Sequence, residues 1–217
     1  MQLGTTNRAR AYGALAAIGV MLAGAAAEAQ EKITWRMAIY GPSRAVTRGF
    51  ELYSKLVEEK TGGKFTIRLH YNEQLSDAKD HLDGILAESF QAAFTAYNYA
   101  PGKTPLMTAL DMPFLPLPSP QVIAKVMEEA YTFQPLIDEL KRWNGKALVG
   151  VPLPPYELMG VGKPPRTLED YKGMRVRALG GSGDAMRQLG AIPTSVAAPE
   201  VYGALERGLF HAVAFPF

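Results

Sequence analysis

Strand-like and helix-like patterns alternate along this chain, and that alternation limits the folds open to it. After the stretch "EKITWRMAIYGP", residues 46, 50, 53 and 57 are apolar or aromatic at helical spacing, and "TGG" ends the helix that they predict. The next stretch, "KFTIRLHY", alternates Phe65, Ile67 and Leu69 with polar side chains, as a strand with one buried face does. The order strand, helix, strand predicts two parallel strands joined by a helical crossover.

The same alternation continues to the end of the chain. It predicts further strands at residues 91–96, 146–151, 174–179, 193–196 and 210–214, and helices at 76–89, 119–142, 182–189 and 199–207. The pattern is typical of an α/β fold with a mainly parallel sheet and helices on both faces. Because ligands bind at the carboxyl ends of strands in such sheets, Tyr97, Asn98 and Tyr99 lie at a candidate site directly after residues 91–96.

The first 29 residues have the features of a cleavable secretory signal peptide. Arg8 and Arg10 precede an apolar run rich in Ala and Gly, and the small residues at 27–29 form a cleavage site. A membrane anchor is the alternative, but the run is shorter than the roughly 20 residues that a spanning helix needs. We therefore expect residues 1–29 to be removed on export.

The rest of the chain divides at a proline-rich crossing. Residues 149–155 interrupt the alternation, so we expect a first α/β domain at 30–150 and a second domain at 151–217. The second is partial, because "FHAVAFPF" ends on a strand with no closing helix, which predicts an exposed apolar edge. The chain is therefore expected to be a C-terminally truncated piece.

Composition excludes several classes of function. The 23 basic and 21 acidic residues give a net charge of only +2 without a basic run, so no nucleic-acid partner is expected. The chain has no cysteine, and hence no disulfide, thiolate nucleophile or cysteine metal site. The three histidines, His70, His81 and His211, lack metal-binding spacing, so no metal is expected. No nucleophile-elbow, zinc-protease or P-loop motif occurs either, so neither catalysis nor a cofactor is expected.

The stretch "YKGMRVRALGG" carries two arginines on one predicted strand. Arg175 and Arg177 are two residues apart, and side chains at that spacing share a face. Arg177 lies near the carboxyl end, just before Gly180 and Gly181, whose lack of side chains allows close approach of a ligand or of backbone. A planar guanidinium at this position suits a carboxylate, whereas Arg175 is expected to be solvated.

Several short motifs occur in the order found in one family of transport receptors. From residue 168 the chain reads "LEDYKGMRVRALGG", then "LGAIP" and "PEVYGALERG"; upstream it has "TGGKFTIRLHYNEQL" and "LDMPFL". In this order and spacing the motifs resemble those of the extracytoplasmic solute receptors of tripartite ATP-independent periplasmic (TRAP) transporters. The resemblance spans the whole chain after the signal peptide. Each motif alone is weak evidence, but their combination is specific.

The resemblance implies a fold of the periplasmic binding protein type. Two mixed α/β domains would close over a ligand in the interdomain cleft by a hinge motion, with the second domain incomplete here. It further implies a periplasmic solute-binding protein that captures a small organic acid and delivers it to the membrane subunits of a TRAP permease. Such a receptor is not itself membrane-spanning after signal cleavage, needs no cofactor and catalyses nothing.

The resemblance also implies the site residues. It places the family's carboxylate-binding arginine at Arg177, and Arg175 where the family has a lysine of no special role. Tyr156 stands where sialic acid receptors have a further arginine, and Phe215 where many members have an asparagine. The substrate-binding candidates implied in this way, some of them only by strand-end position and alignment, are Arg177, Tyr156, Phe215, Tyr99, Tyr97, Thr95 and Tyr40.

These departures predict an aromatic cleft of low charge, suited to a monocarboxylate with an apolar, hydroxylated or aromatic body. Two alternatives stay open. The first is an exported lyase or isomerase in which Arg177 holds a carboxylate and Tyr156 acts as an acid, although no convincing base accompanies them. The second is a ligand-sensing module of a signalling system.

Overall fold

The computed structural model describes residues 32–113, 115–117 and 119–216. The predicted signal peptide at 1–29 lies outside these residues, so its prediction stands as made. Within the described ranges, every helix is too short or too polar to cross a membrane.

The first part of the chain forms a three-stranded parallel sheet. Its strands are β1 (Ile33–Ile39), β2 (Phe65–His70) and β3 (Ala92–Phe94), in the order β2-β1-β3. Helix α1 (Arg48–Lys60) connects β1 to β2, and α2 (His81–Leu86) connects β2 to β3. The predicted strand, helix, strand order of this region is therefore confirmed.

The core of this region is aromatic at the carboxyl edge of the sheet. The ring of Tyr40, which follows β1, stacks on Phe94 at the end of β3 with centroids 4.8 Å apart. Phe50 of α1 packs against Phe94 at 5.0 Å, and Tyr99 meets Tyr40 edge-on at 5.5 Å. Buried aromatic rings contribute heavily to stability, so this cluster stabilises the carboxyl edge of the sheet.

The last part of the chain forms a second, mixed sheet. Its strands are β4 (Tyr156–Gly160), β5 (Arg175–Arg177), β6 (Ile192–Thr194) and β7 (Ala212–Pro216). The order is β4-β7-β5-β6, with β4 antiparallel to β7 and the other pairs parallel. Helices α6 (Gly180–Gln188) and α7 (Val201–Glu206) make the parallel crossovers of this sheet.

The sequence led us to expect that the final strand would form an exposed edge of the second sheet. The structure shows that it does not. β7 lies between β4 and β5, so both of its sides are paired. The prediction was wrong because β4 was not foreseen: "YELMG" is flanked by prolines on both sides, which hides its strand pattern. Its partner, β7, is far away in the sequence, so no local signal announces the pairing.

The predicted strand at 146–151 is also absent. These residues are irregular, and the side chains of Leu148 and Val149 are 59% and 58% exposed. An apolar run becomes a strand only when another strand accepts its hydrogen bonds, and none of the described strands does so here.

Three helices lie between the two sheets in sequence: α3 (Pro105–Thr108), α4 (Pro120–Ala130) and α5 (Gln134–Lys141). The predicted helix start at Ser119 is confirmed, because its hydroxyl accepts a hydrogen bond from the Val122 amide at 3.3 Å. The single helix predicted over 119–142 is wrong, since Pro135 has no amide hydrogen to continue the helix and instead stands in the first turn of α5.

Candidate functional site

A cavity of about 1540 Å³ opens at the carboxyl edges of both sheets. Residues that follow β1 and β3 line one side, and residues of β5, α6 and β7 line the other. All the sequence-predicted site residues line this cavity: Tyr40, Thr95, Tyr97, Tyr99, Tyr156, Arg177 and Phe215.

Arg177, the last residue of β5, is only 1% exposed. Its Nε donates a hydrogen bond to the carbonyl of Val196 at 3.0 Å, and its Nη1 donates to the carbonyl of Ala214 at 2.8 Å. The Phe215 ring centroid lies 5.2 Å from its Cζ. These contacts fix the guanidinium plane.

No carboxylate of the described residues forms an ion pair with Arg177. A guanidinium has five N–H donors, and the two carbonyls take only part of them. Burying a charge without a counter-charge is costly. The site therefore presents a fixed positive charge that an anion in the cavity would neutralise.

Arg175 lies two residues earlier in β5 but is exposed. Its Nη2 lies 2.8 Å from Nε2 of His211. The shared face predicted from the spacing does not give the two arginines the same environment, because only Arg177 reaches the cavity.

Tyr99 connects the two sides of the site. Its hydroxyl accepts a hydrogen bond from the Ala198 amide at 2.9 Å, which leaves its own proton free to donate. Burial raises the pKa of Tyr99, while the Ala198 amide and the charge of Arg177 act in the opposite direction. The phenol therefore stays neutral and is held close to the arginine.

Tyr156, the first residue of β4, is 38% exposed and faces the cavity. Surrounding protein raises its pKa by desolvation, and interactions with Arg177 and Asn98 oppose that rise. That strand, β4, was not predicted from the sequence.

Tyr97 and Tyr131 form a second polar group in the cavity wall, with their hydroxyl oxygens 3.3 Å apart. Burial and the nearby Tyr131 raise the pKa of Tyr97. Because each hydroxyl has the other as a partner, this pair is partly satisfied without a ligand.

Arg44 is a cavity residue that the sequence reasoning missed. Its Nη1 donates to the carbonyls of Tyr40 and Pro42 at 2.8 and 3.0 Å, and its Cζ lies 5.1 Å from the Tyr40 ring centroid. Gly41 permits this, because a Cβ there would lie 2.5 Å from Arg44 Nη1. The Gly-Pro break directly after β1 was the available signal, since it places the next residues at the carboxyl edge.

Asn98 and Asp111 also line the cavity and were not among the predicted contacts. Oδ1 of Asn98 is buried and has no hydrogen-bond partner in the described part of the chain. Asp111 ends a single 3-10 turn, Ala109–Asp111. Its side chain reaches the cavity, yet the surrounding protein excludes enough water to raise its pKa from the usual 3.8 to about 6.

The turn that carries Asp111 packs against the start of α6. A Cβ added at Gly181 would lie 3.2 Å from both Met112 and Pro113, and one at Gly180 would lie 3.1 Å from Asn98. Gly180 also has a positive φ of 47°. The paired glycines therefore let the helix start approach the opposite wall of the cavity, where the sequence predicted a close approach.

No group of three or more His, Asp or Glu side chains that could hold a metal ion occurs among residues 32–113, 115–117 and 119–216.

Comparison with known sequences gives a consistent result. Residues 38–213 match the family model of the bacterial extracellular solute-binding proteins, family 7. A solute-binding protein of Sulfitobacter sp. strain NAS-14.1 is 27% identical over 206 residues, which cover 89% of this chain and 59% of that protein. One from Verminephrobacter eiseniae is 24% identical over 164 residues, covering 73% and 47%. The chain thus spans about half the length of the curated relatives it matches.

Solved structures show the same fold. A Bordetella pertussis extracytoplasmic solute receptor that binds pyroglutamic acid aligns with a TM-score of 0.72 at 24% identity, covering 83% of this chain and 59% of its own. A marine metagenome TRAP solute-binding protein specific for aromatic acids, in complex with 3-hydroxybenzoate, aligns with a TM-score of 0.76 at 21% identity, covering 85% and 58%. The mixed α/β fold of the periplasmic binding protein type is therefore confirmed.

Proposed function

Because the chain belongs to the bacterial extracellular solute-binding proteins, family 7, we propose that it captures a small organic acid in the cavity between its two sheets and delivers it to a TRAP membrane permease. The observation that carries this proposal is the environment of Arg177. Its side chain is 1% exposed and is oriented by two backbone carbonyls, and no carboxylate of the described residues forms an ion pair with it. An incoming carboxylate supplies the missing charge. Two parallel N–H donors of a guanidinium match the two oxygens of a carboxylate.

The remaining cavity wall favours a compact acid with an apolar, hydroxylated or aromatic body. Phe215 and Tyr156 flank the arginine, and Tyr40, Tyr97 and Tyr99 form the facing wall. Aromatic rings give large contact areas, and the phenol hydroxyls can bind a further polar group. The ligands of the two structural neighbours, pyroglutamic acid and 3-hydroxybenzoate, belong to this class.

The mechanism is recognition followed by closure. A first domain at 30–150 and a second at 151–217 hinge about the crossing at 149–155, and the bound acid stabilises the closed form that the permease accepts. Residues 1–29 direct export to the periplasm and are removed there. The bound acid leaves chemically unchanged, without a cofactor, and the protein binds no nucleic acid.

Calorimetric titration of the chain with a panel of organic acids tests this proposal. Arg177→Ala should lower the affinity for the best ligand by roughly thirty-fold or more, as loss of one partner of a buried charge pair does. Arg175→Ala is the matched control, because Arg175 belongs to the same strand but is exposed, and it should bind normally. Thermal melting checks that both variants fold.

Since Arg177→Ala also removes donors from two backbone carbonyls, Arg177→Lys serves as a second variant. It keeps the charge but not the planar fork, and it should bind more weakly than the wild type. Wild-type affinity in a folded Arg177→Ala protein would contradict the proposal. So would conversion of the ligand to a product, which would favour the lyase or isomerase alternative.

A further inference from the structure

The cavity that we propose as the binding site of an organic acid also contains a carboxylate, that of Asp111. Its side chain lines the cavity, and it forms no ion pair or hydrogen bond with any described residue. Its own turn, Ala109–Asp111, has no side-chain cap hydrogen bond and no basic residue in its last turn to neutralise the carboxylate. A structural role as a cap or as half of a salt bridge therefore does not account for it.

Asp111 and Arg177 line the same cavity, together with Tyr156. Tyr156 interacts with the guanidinium of Arg177 and with Asn98, and it also lies within the electrostatic reach of the Asp111 carboxylate. The same carboxylate acts on Tyr97. Asp111, Tyr156 and Arg177 thus line one cavity, which offers a small ligand both a positive and a negative pole.

Asn98 gives an independent observation of the same kind. Asn98 lines the cavity, and its Oδ1 is buried without a hydrogen-bond partner in the described residues. A buried acceptor without a partner costs free energy unless a ligand or a water molecule supplies a donor.

The other hydroxyls of the wall each have one partner, and Tyr99 keeps its own proton free to donate. Tyr99 accepts from the Ala198 amide, and the hydroxyls of Tyr97 and Tyr131 lie 3.3 Å apart. Two acceptors in the cavity wall, Asp111 and Asn98 Oδ1, have no partner among the described residues, in a cavity whose buried cation attracts an anion. An anion without a donor would meet repulsion from Asp111 and would leave Asn98 unsatisfied.

We propose that Asp111 determines specificity, by selecting acids that carry an N–H or O–H donor in addition to their carboxylate. Arg177 binds the carboxylate, and Asp111, assisted by Asn98 Oδ1, accepts the hydrogen bond from the ligand's donor. Acids without a donor, and dicarboxylates that place a second negative charge near Asp111, are rejected. This inference rests on the proposed function and specifies its ligand class.

The test uses pairs of acids that differ only in the donor. One pair is 3-hydroxybenzoate and 3-methoxybenzoate; another is pyroglutamate and its lactone counterpart, in which a ring oxygen replaces the N–H. When the wild-type chain binds the acids of a pair, we expect it to bind the acid with the N–H or O–H donor at least about ten-fold more tightly than the acid without it. A hydrogen bond to a charged acceptor predicts this difference.

Asp111→Ala should reduce that preference to about two-fold or less, and Asp111→Asn, which keeps an uncharged acceptor, should give an intermediate value. Glu88→Gln is the matched control, because it removes a second exposed carboxylate that lines the same cavity, and it should keep the wild-type preference. Melting curves confirm that each variant is folded.

The outcomes separate the two proposals. If no acid of either pair or of the wider panel binds, the proposed function fails and this inference fails with it. If acids bind but both members of each bound pair bind equally, or if the preference survives in Asp111→Ala, only the role of Asp111 is refuted. A loss of preference in Glu88→Gln equal to that in Asp111→Ala would also refute it.

Discussion

The two walls of the cavity are built in different ways. The wall from the first sheet contains a cluster of mutually satisfied groups: Tyr40 stacks on Phe94, and Arg44 lies over Tyr40 with backbone carbonyls as partners. The wall from the second sheet holds Arg177, which is buried without a described counter-charge. These packed groups of the first wall need no ligand, whereas the proposed ligand would supply the counter-charge of Arg177.

This contrast separates stability from affinity. Packed rings lower the free energy of the folded state whether or not a ligand is bound. A desolvated charge without a partner does not stabilise the empty protein, but it increases the free energy released when an anion arrives. Substitutions in the first wall should therefore act on unfolding, and substitutions in the second on binding.

The largest expected effect on stability comes from Phe94→Ala. Removing a buried ring that contacts both Tyr40 and Phe50 should lower the free energy of unfolding by about 3 kcal/mol. Arg177→Met should lower it by less, about 1 kcal/mol, because the lost hydrogen bonds are offset by the removal of a buried charge. Urea unfolding of both ligand-free variants measures the difference.

Phe133→Ala is the control for Phe94, because Phe133 is 58% exposed and its removal should change little. An Arg177→Met protein less stable than Phe94→Ala would contradict the contrast between the walls.

A smaller effect is expected at the contact between the walls. Tyr99→Phe removes the acceptor for the Ala198 amide, and it should lower the free energy of unfolding by about 1 kcal/mol. Tyr202→Phe is the control, since Tyr202 is 73% exposed. Equal stabilities of the two variants would show that this hydrogen bond does not hold the walls together.

The smallest effect is a pH dependence from Asp111. Its pKa in the folded protein is raised from 3.8 to about 6, so the folded state holds the proton more tightly than the unfolded chain. The resulting stability is present below about pH 4 and is lost as the pH rises through about 6.

Melting temperatures of the wild type and Asp111→Asn should therefore diverge between those two pH values, with the wild type losing stability relative to the variant as the pH rises. A difference that is constant over this range would show that the carboxylate is fully solvated.

Much of the fold could be predicted from local sequence. The alternation in "KFTIRLHY" and the helical spacing before it predict the strand, helix, strand order that the structure shows in β1, α1 and β2. Ser119 predicts a helix start because the cap and its amide partner are only three residues apart. Arg177 could be selected as a candidate because its strand, the following glycines and the motif resemblance coincide.

Other features escaped because they depend on distant residues. β4 exists because Tyr156–Gly160 pairs with β7, and the apolar run at 146–151 is irregular because none of the described strands accepts it. Arg44 and Asp111 carry no local sign that they face the same cavity as Arg177.

The amino-acid sequence by itself determined the α/β alternation, the family membership and the chemistry of the candidate cation, because these are encoded in periodicity, motif order and residue type. Only the tertiary structure decided how deeply Arg177 is buried, which acceptors lack partners and where the last strand lies. Burial and pairing are properties of chain segments that meet across the fold, and no single segment specifies them.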